Sequence, residues 1–366
     1  MSSSFTHLHV HSHYSLLDGL PNIKDLIKTA KARGFSALAL TDHGNMYGTI
    51  EFYRECLKQE IKPIIGCEVY VAPISRFEKD PKNKYYHLIL LAENVEGYKN
   101  LMKLVSLANL EGFYYKPRID KEILRKYAKG LIASSACMAG EISRTLKQEN
   151  GFEKAVAVAK EYEDIMGKGN YFLELMDLPA LEGQMELNEN LQKISKQTGI
   201  GLIVTRDVHY LNPDDAEAQD ILTCIRDGRQ LDEANRRSMQ GVDYSLAKGE
   251  EIEKRFKHIP EAVENTMIIA NRVNLEIELD NWHFPPISIP EGKTASEVLR
   301  EEVYERLPKL MEVTDEVQKR VDYELGVISE KGYSPYFLAV AEYVNYAKTH
   351  GIVETTRGSG AGSLVS

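Results

Sequence analysis

Seven short apolar segments, each trailed by a stretch with helical spacing, set the strongest limit on how this chain folds. They cover residues 5–10, 37–40, 63–71, 87–91, 130–135, 171–175 and 201–205. Strands of that length alternating with helices predict parallel βα units, closed into a barrel or laid out as a doubly wound sheet. Either way the working residues gather where the strands end, at their C-terminal edge.

The first segment carries an unusual pattern: Phe5-Thr-His-Leu-His-Val-His-Ser-His13. Successive side chains of an extended strand face opposite ways, so His7, His9, His11 and His13 share one face and Leu8 and Val10 the other. A purification tag is unbroken histidine, whereas here histidine is interleaved with an apolar row. Neutral imidazole is a preferred nitrogen donor to metals, and two at i and i+2 can converge on one ion. A strand that gives up a face to histidine predicts a site.

Composition narrows the class. The 366 residues exceed one ordinary core and predict two domains, or a barrel with an addition. The 43% hydrophobic content is that of a globular protein, and there is neither an 18-residue apolar run nor a signal peptide, which predicts a soluble cytoplasmic protein with no membrane partner. Cys56, Cys67, Cys137 and Cys224 form no CxxC pair, as expected of reduced thiols, any of which is free to ligate a metal. A net charge of −10 argues against a broad nucleic-acid grip, although bound cations offset carboxylates locally.

The helices read as packing elements. In residues 23–34, Ile23, Leu26, Ile27 and Ala30 share a face that stops at a capping glycine; residues 99–110 and 153–166 follow the same spacing. Residues 211–280 turn into polar helices, among them 261–273. A proline-rich crossing at 280–290 then marks a boundary, giving expected domains of 1–280 and 281–366. Three helices follow. The middle one opens on Thr314, Asp315 and Glu316 and places Val317, Val321, Leu325 and Ile328 on one face; the last spans 335–350 before a glycine-rich turn.

Against this frame the strand ends are rich in metal donors. His9 and His11 end the first segment, with Asp18 in the loop after it; His43 follows the second; Glu68 interrupts the third, where a lone carboxylate is costly to bury. His87 opens the fourth, Cys137 follows the fifth, and Asp207 and His209 close the last with the i, i+2 spacing of the first. Nitrogen and carboxylate donors with one sulfur suit zinc and accept manganese or iron. Nine donors exceed the four of a structural zinc site and predict two or three divalent metals, bridged by carboxylates such as Glu68 and Asp18. Such clusters activate water and clamp a phosphoryl group in displacement, so phosphoester hydrolysis is the expected reaction.

Five motifs carry a family resemblance: His7-Leu-His-Val-His-Ser-His-Tyr-Ser-Leu-Leu-Asp-Gly19, Thr41-Asp-His-Gly-Asn-Met-Tyr-Gly48, Gly66-Cys-Glu-Val-Tyr70, Gly112-Phe-Tyr-Tyr-Lys-Pro-Arg118 and Asp207-Val-His-Tyr-Leu211. Together they resemble the polymerase and histidinol phosphatase (PHP) domain of bacterial DNA polymerase III alpha subunits. Gly332-Tyr-Ser-Pro-Tyr-Phe-Leu-Ala-Val340 and Arg357-Gly-Ser-Gly-Ala-Gly-Ser-Leu-Val365 are similar to the start of that family's palm domain. The resemblance implies an α/β fold, a distorted seven-stranded barrel followed by the mostly helical start of a palm. It implies metal ligation and catalysis by His9, His11, Asp18, His43, Glu68, His87, Cys137, Asp207 and His209. It further implies a 3′ to 5′ proofreading exonuclease acting on the primer 3′ end within a DNA-directed DNA polymerase, alongside a sliding clamp and other replisome subunits. His7 and His13 fall outside that ligand set and are expected to support the ligands or face solvent.

The family's triphosphate-binding turn maps to Arg357, Gly358 and Ser359, where backbone N–H groups form an anion nest. This chain departs just upstream with Val353-Glu-Thr-Thr356, and Glu354 would repel a triphosphate there. The family's palm aspartates fall beyond the last residue, so this stretch alone is expected not to polymerise DNA and reads as part of a longer polypeptide. Two alternatives have different consequences: a small-substrate phosphatase, and a non-catalytic scaffold that docks a proofreading subunit.

Overall fold

The computed structural model describes residues 4–281, 283–355 and 358–366. The chain divides into two compact units, Met1–Ile277 and Glu278–Ser366.

The first unit is a curled mixed sheet wrapped by helices. Its strands are β1 (Ala37–Leu40), β2 (Lys62–Val71), β3 (Tyr86–Ala92), β4 (Arg118–Ile119), β5 (Leu131–Ser134), β6 (Tyr171–Met176) and β7 (Gly201–Thr205), in the order β1-β2-β3-β5-β6-β7 with β4 pairing β2. The N-terminal segment lies between the two ends of this sheet. On one side the carbonyls of His7 and Val10 accept from the N–H groups of Ala39 and Thr41; on the other the His9 carbonyl accepts from Val208 and the His11 N–H donates to Val208. It therefore closes the curl as an extended bridging segment rather than a regular strand, and the two-residue β4 is an addition that its shortness hides from sequence pattern.

The all-parallel expectation fails at β3, which runs antiparallel to both β2 and β5. A parallel crossover needs about a dozen residues and usually a helix. Residues 72–85, which join β2 to β3, contain no helix, so the strand returns alongside β2 in the opposite sense. The remaining pairs, β1 with β2, β5 with β6 and β6 with β7, are parallel.

The helices of this unit are α1 (Ile23–Ala32), α2 (Thr49–Lys58), α3 (Val95–Leu110), α4 (Lys121–Lys126), α5 (Glu141–Thr145), α6 (Gly151–Met166), α7 (Gln184–Thr198), α8 (Ala216–Asp227), α9 (Gly249–Arg255) and α10 (Pro260–Arg272). The α1 helix shows the local logic. The Asn22 side chain accepts from the Asp25 N–H at its start, Ile23, Leu26, Ile27 and Ala30 are buried, and Gly34 follows with φ 80°. Leu8 and Val10 are buried, as are His7, His9 and His11, so the first segment is core on both faces.

The second unit packs α11 (Ala295–Leu310), α12 (Asp315–Glu330) and α13 (Ser334–Thr349) around Leu299, Leu307, Val321, Leu325 and Leu338. Thr294 and Glu297 form a reciprocal capping box at the start of α11. The Glu324 carboxylate accepts from Ser363 Oγ and the N–H groups of Leu364 and Val365, tying the final residues to α12. Gly358 and Ser359 lie exposed in a 3₁₀ turn, while Arg357 falls outside the described residues. No helix among the described residues is long and apolar enough to cross a membrane.

Candidate metal centre

The nine donor residues meet at one rim. Parallel strands deliver them from their C-terminal ends: His43 after β1, Glu68 late in β2, Cys137 after β5, and Asp207 and His209 after β7. The reversed β3 brings His87 to the same rim from the start of its strand, because the beginning of an antiparallel strand lies beside the end of its neighbour.

Three residues at or beside donors hold left-handed backbone, Leu17 before Asp18, Ala136 before Cys137, and Asp207 itself, with φ of 59°, 56° and 52°. Non-glycine residues adopt this region at a cost, and it persists where surrounding structure enforces it. Gly19 enforces one such turn: a Cβ there would stand 2.2 Å from the Ser12 carbonyl oxygen, so the loop that carries Asp18 closes only on glycine.

The donor atoms crowd together. His9 Nε2 and His11 Nε2 are 3.1 Å apart, and Asp207 Oδ1 lies 3.0 and 3.1 Å from them. Glu68 sits centrally, with Oε2 2.5 Å from His43 Nδ1 and Oε1 2.8 Å from His87 Nδ1, and it also lies 3.6 Å from His9 and 3.5 Å from His11. Cys137 Sγ is 3.7 Å from His87 Nδ1. Asp18 Oδ2 is 3.3 Å from His43 Nε2 and 4.0 Å from His209 Nε2. Three subsets are compact enough to share an ion: His9, His11 and Asp207; His43, Glu68 and His87; and His11, His43 and His209.

Hydrogen bonds behind the rings fix which nitrogen faces inward. His9 Nδ1–H donates to Glu174 Oε1 at 2.7 Å, His209 Nδ1–H to the Asp207 carbonyl at 2.7 Å, and His11 Nδ1–H to Ser15 Oγ at 2.9 Å. Ser15 in turn donates to the buried Asp42 at 2.7 Å, which assigns the proton direction through the pair. All three imidazoles thus offer Nε2 to the cluster, the arrangement by which outer hydrogen bonds orient metal-binding histidines.

Electrostatics describe a set of carboxylates held ionised. Burial opposes the charge on Glu68, but His87, His43 and His9 overcome it and hold the carboxyl well below its ordinary range. Asp207 is held down against burial by His9 and His209, and Asp18 against burial by His43 and His209. Burial likewise opposes charge on His9 and His43, yet Asp207 and Glu174 raise the first and Glu68 and Asp18 raise the second to about 10. His11, buried beside His43 and His209, drops to about 3, and burial pushes the Cys137 thiol up. Positive charge on His9 and His43 therefore balances carboxylates that stay ionised.

The residues fit divalent cations. Glu68 Oε2, His43 Nδ1 and Asp207 Oδ1 are buried with close neighbours but none in hydrogen-bonding geometry, as expected of lone pairs aimed at a common point. Three carboxylates and one thiol complement two divalent charges, and the nitrogen, oxygen and sulfur mixture suits zinc, with manganese or iron acceptable.

Several residues at the site escape the strand-end pattern. Glu174 interrupts an apolar strand just as Glu68 does, and that signal was legible. Ser15 and Asp42 act through loop contacts that no spacing encodes. Arg226, in the last turn of α8, places a guanidinium nitrogen 2.7 Å from Asp18 Oδ1, while Gln219 of α8 donates to the Asp18 carbonyl. His7 supports no donor: it is buried between Phe5 and Phe35, ring centres 4.8 and 5.1 Å away, and its Nε2 meets the Ala247 carbonyl. Two residues upstream of His9, it has already reached the closed interior of the barrel. His13 is exposed.

The cluster opens into a cleft of about 1030 Å³ lined by Tyr47, Tyr70, Phe113, Tyr115, Lys116 and Arg237 among others.

Comparison with known proteins agrees with this architecture. Residues 7–178 match the PHP domain, and residues 296–366 match the bacterial DNA polymerase III alpha NTPase domain. DNA polymerase III subunit alpha of Treponema pallidum is 43% identical over 369 residues, covering 99% of this chain and 31% of that protein. The subunit from Borreliella burgdorferi is 43% identical over 371 residues, covering 100% and 32%, and that from Helicobacter pylori 39% over 396 residues, covering 100% and 32%. Among solved structures, a two-domain Bacteroides vulgatus protein described as containing a PHP-like metal-dependent phosphoesterase is 14% identical with a TM-score of 0.37, covering 76% of this chain and 72% of that one, a likeness too distant to argue from. The chain belongs to the DNA polymerase III alpha-subunit family, spans 31–32% of the length of those relatives, and carries a PHP domain.

Proposed function

We propose that the PHP domain of this chain is a metal-dependent phosphodiesterase that removes nucleotides from the 3′ end of a DNA primer, proofreading for a DNA-directed DNA polymerase. The convergence of nine donor side chains at the mouth of one open cleft carries this reading.

In it, His9, His11 and Asp207 would hold one ion and His43, Glu68 and His87 another, with Asp18, Cys137 and His209 completing the set. Bound there, two or three divalent ions, zinc foremost, would supply Lewis-acid activation of water and neutralise phosphate charge. The chain itself does the rest. Glu174, Ser15 and the Asp207 carbonyl keep three rings turned with Nε2 inward, so the cluster is assembled before substrate arrives. Arg226, anchored by Asp18 and Asp227, offers a fixed guanidinium to a non-bridging phosphate oxygen. The breadth of the cleft favours a polymer over a small phosphomonoester.

A longer polypeptide of this family would place the domain in the cytoplasm beside the rest of the polymerase, a sliding clamp and other replisome subunits. Gly358 and Ser359 with Arg357 are the candidate triphosphate contacts of the second unit, with Glu354 opposing them.

The test is a 3′-labelled oligonucleotide incubated with protein loaded with zinc or manganese. Wild type shortens the strand, and His9→Ala with His11→Ala abolishes shortening. Metal-loaded wild type that leaves the label in place refutes the assignment.

A further inference from the structure

Beside the donor cluster stands a loop whose construction the hydrolytic chemistry does not require. Residues 112–118 read Gly-Phe-Tyr-Tyr-Lys-Pro-Arg, and two of their aromatic rings are turned outward, Phe113 55% and Tyr115 74% exposed. Exposed large aromatics are normally isolated, and here a third, Tyr47 at 67%, lines the same cleft.

The loop is built to hold those rings out. Tyr115 sits at its tip with φ 59°, a left-handed conformation that strains a bulky residue and persists only when its surroundings impose it. The imposition comes from below. Tyr114 N–H donates to the Lys116 carbonyl across the tip, and a Cβ on Gly112 would stand 1.8 Å from the Arg118 carbonyl oxygen, so the base closes only on glycine. The Arg118 guanidinium, 2% exposed, donates to the carbonyls of Gly112, Arg76 and Glu78, riveting the loop to the neighbouring segment. Tyr115 therefore pays for strain without gaining burial.

From loop to cluster the wall is continuous. Lys116 Nζ lies 5.5 Å from the Tyr70 ring centre, and Tyr70 lies 5.2 Å from His87 and 6.1 Å from His43. Lys84, Lys116, Arg144 and Arg237 line the same cleft, where six Lys and Arg side chains face four aspartates, two of them in the donor cluster, a positive balance in a chain of net charge −10. Outward aromatic faces interleaved with Lys and Arg are the composition that binds unpaired nucleic acid: every base has a face to stack, and the cations follow the backbone.

We propose that Phe113 and Tyr115 are a stacking platform that seats the unpaired bases of a strand end while its 3′-terminal phosphodiester enters the donor cluster. This rests on the hydrolytic reading above and adds the residues that select an unpaired terminus over a paired one.

The experiment combines Phe113→Ala with Tyr115→Gly, since glycine accepts the tip conformation and leaves the loop unstrained. First, anisotropy of a fluorescein-labelled single strand is measured with the full chain in EDTA, against the same strand in a duplex. Wild type binds the single strand more tightly than the duplex, and the double variant loses about tenfold or more of single-strand affinity, the order of one lost stack. Second, with metal present, turnover of a 3′-unpaired oligonucleotide is compared with that of bis(p-nitrophenyl) phosphate, which is too small to reach the platform. The ratio of the two kcat/KM values falls about tenfold or more in the variant. Equal single-strand binding by wild type and variant, as expected if these rings serve a protein partner, or an equal loss on both substrates, overturns the platform. Failure of wild type to cleave either substrate overturns the hydrolytic reading instead, with the binding arm still deciding the platform.

Discussion

Glu174→Leu isolates the role of a carboxylate that sits behind the His9 ring, on the side away from the donor cluster. Glu174 is 1% exposed, and its carboxylate accepts three donors: His9 Nδ1–H at 2.7 Å, Thr205 Oγ1 at 2.6 Å, and Ser134 Oγ. Leucine keeps most of the volume but removes both acceptor oxygens, so His9 Nδ1–H loses its partner and the Thr205 and Ser134 hydroxyls must turn elsewhere. Leaving a buried polar group unsatisfied costs about 1–3 kcal/mol, so stability to urea should fall by that order. The metal consequence is separate. Without a fixed acceptor at Nδ1, His9 is free to turn or to place its proton on Nε2, and loss of such an orienting partner lowers metal affinity about 10–100-fold. Zinc affinity by competition with a chromophoric chelator, measured alongside the urea curve, reads both effects. A variant that loses stability while keeping zinc affinity within about twofold of wild type refutes the claim that Glu174 sets the His9 tautomer.

Other consequences follow from the same geometry. Metal entry must displace the proton that burial keeps on Cys137, so zinc affinity should rise as pH increases from about 6 to about 8, and Cys137→Ser should flatten that slope; a pH-independent wild type contradicts the thiolate assignment. Removing bound metal should lower the melting temperature, since an ion at 100 times its Kd stabilises by about 2.7 kcal/mol, and an unchanged melt after chelation argues against a filled site. The Asp220 carboxyl is held below its ordinary range of 3.8 by Arg236 and by Ser238, so this contact stabilises above that value and weakens as pH falls through the lowered one; Asp220→Asn should expose residues 228–240 to limited proteolysis at neutral pH, and equal cleavage rates would count against the contact. Leu325→Ala opens the core of the second unit and should cost about 2–5 kcal/mol in urea unfolding, a loss under about 1 kcal/mol meaning that the helices collapse onto the gap.

Residue order alone carried the local features. Strand segments were visible because a buried strand concentrates apolar residues within a few positions, and the α1 face followed from spacing alone. The nine candidate donors stood out because their chemistry is out of place at the ends of apolar strands. Glu174 carries the same kind of signal, but one carboxylate in an apolar strand does not say whether it faces an ion or the back of a histidine.

Tertiary structure decided what depends on neighbours distant in the chain. Nothing in Tyr86–Ala92 states that it runs against β2 and β5; the helix-free link before it fixes that direction, and only the reversal brings His87, which begins its strand, to the rim where other strands end. His7 and His9 share a face by spacing, yet the barrel end encloses one between Phe5 and Phe35 and the rim turns the other toward Asp207. The Asp42–Ser15–His11 chain and the Arg226–Asp18 pair join residues 27, 4 and 208 positions apart. The pattern of one segment records what that segment buries, and the chemistry of the cleft is set by which segments it meets.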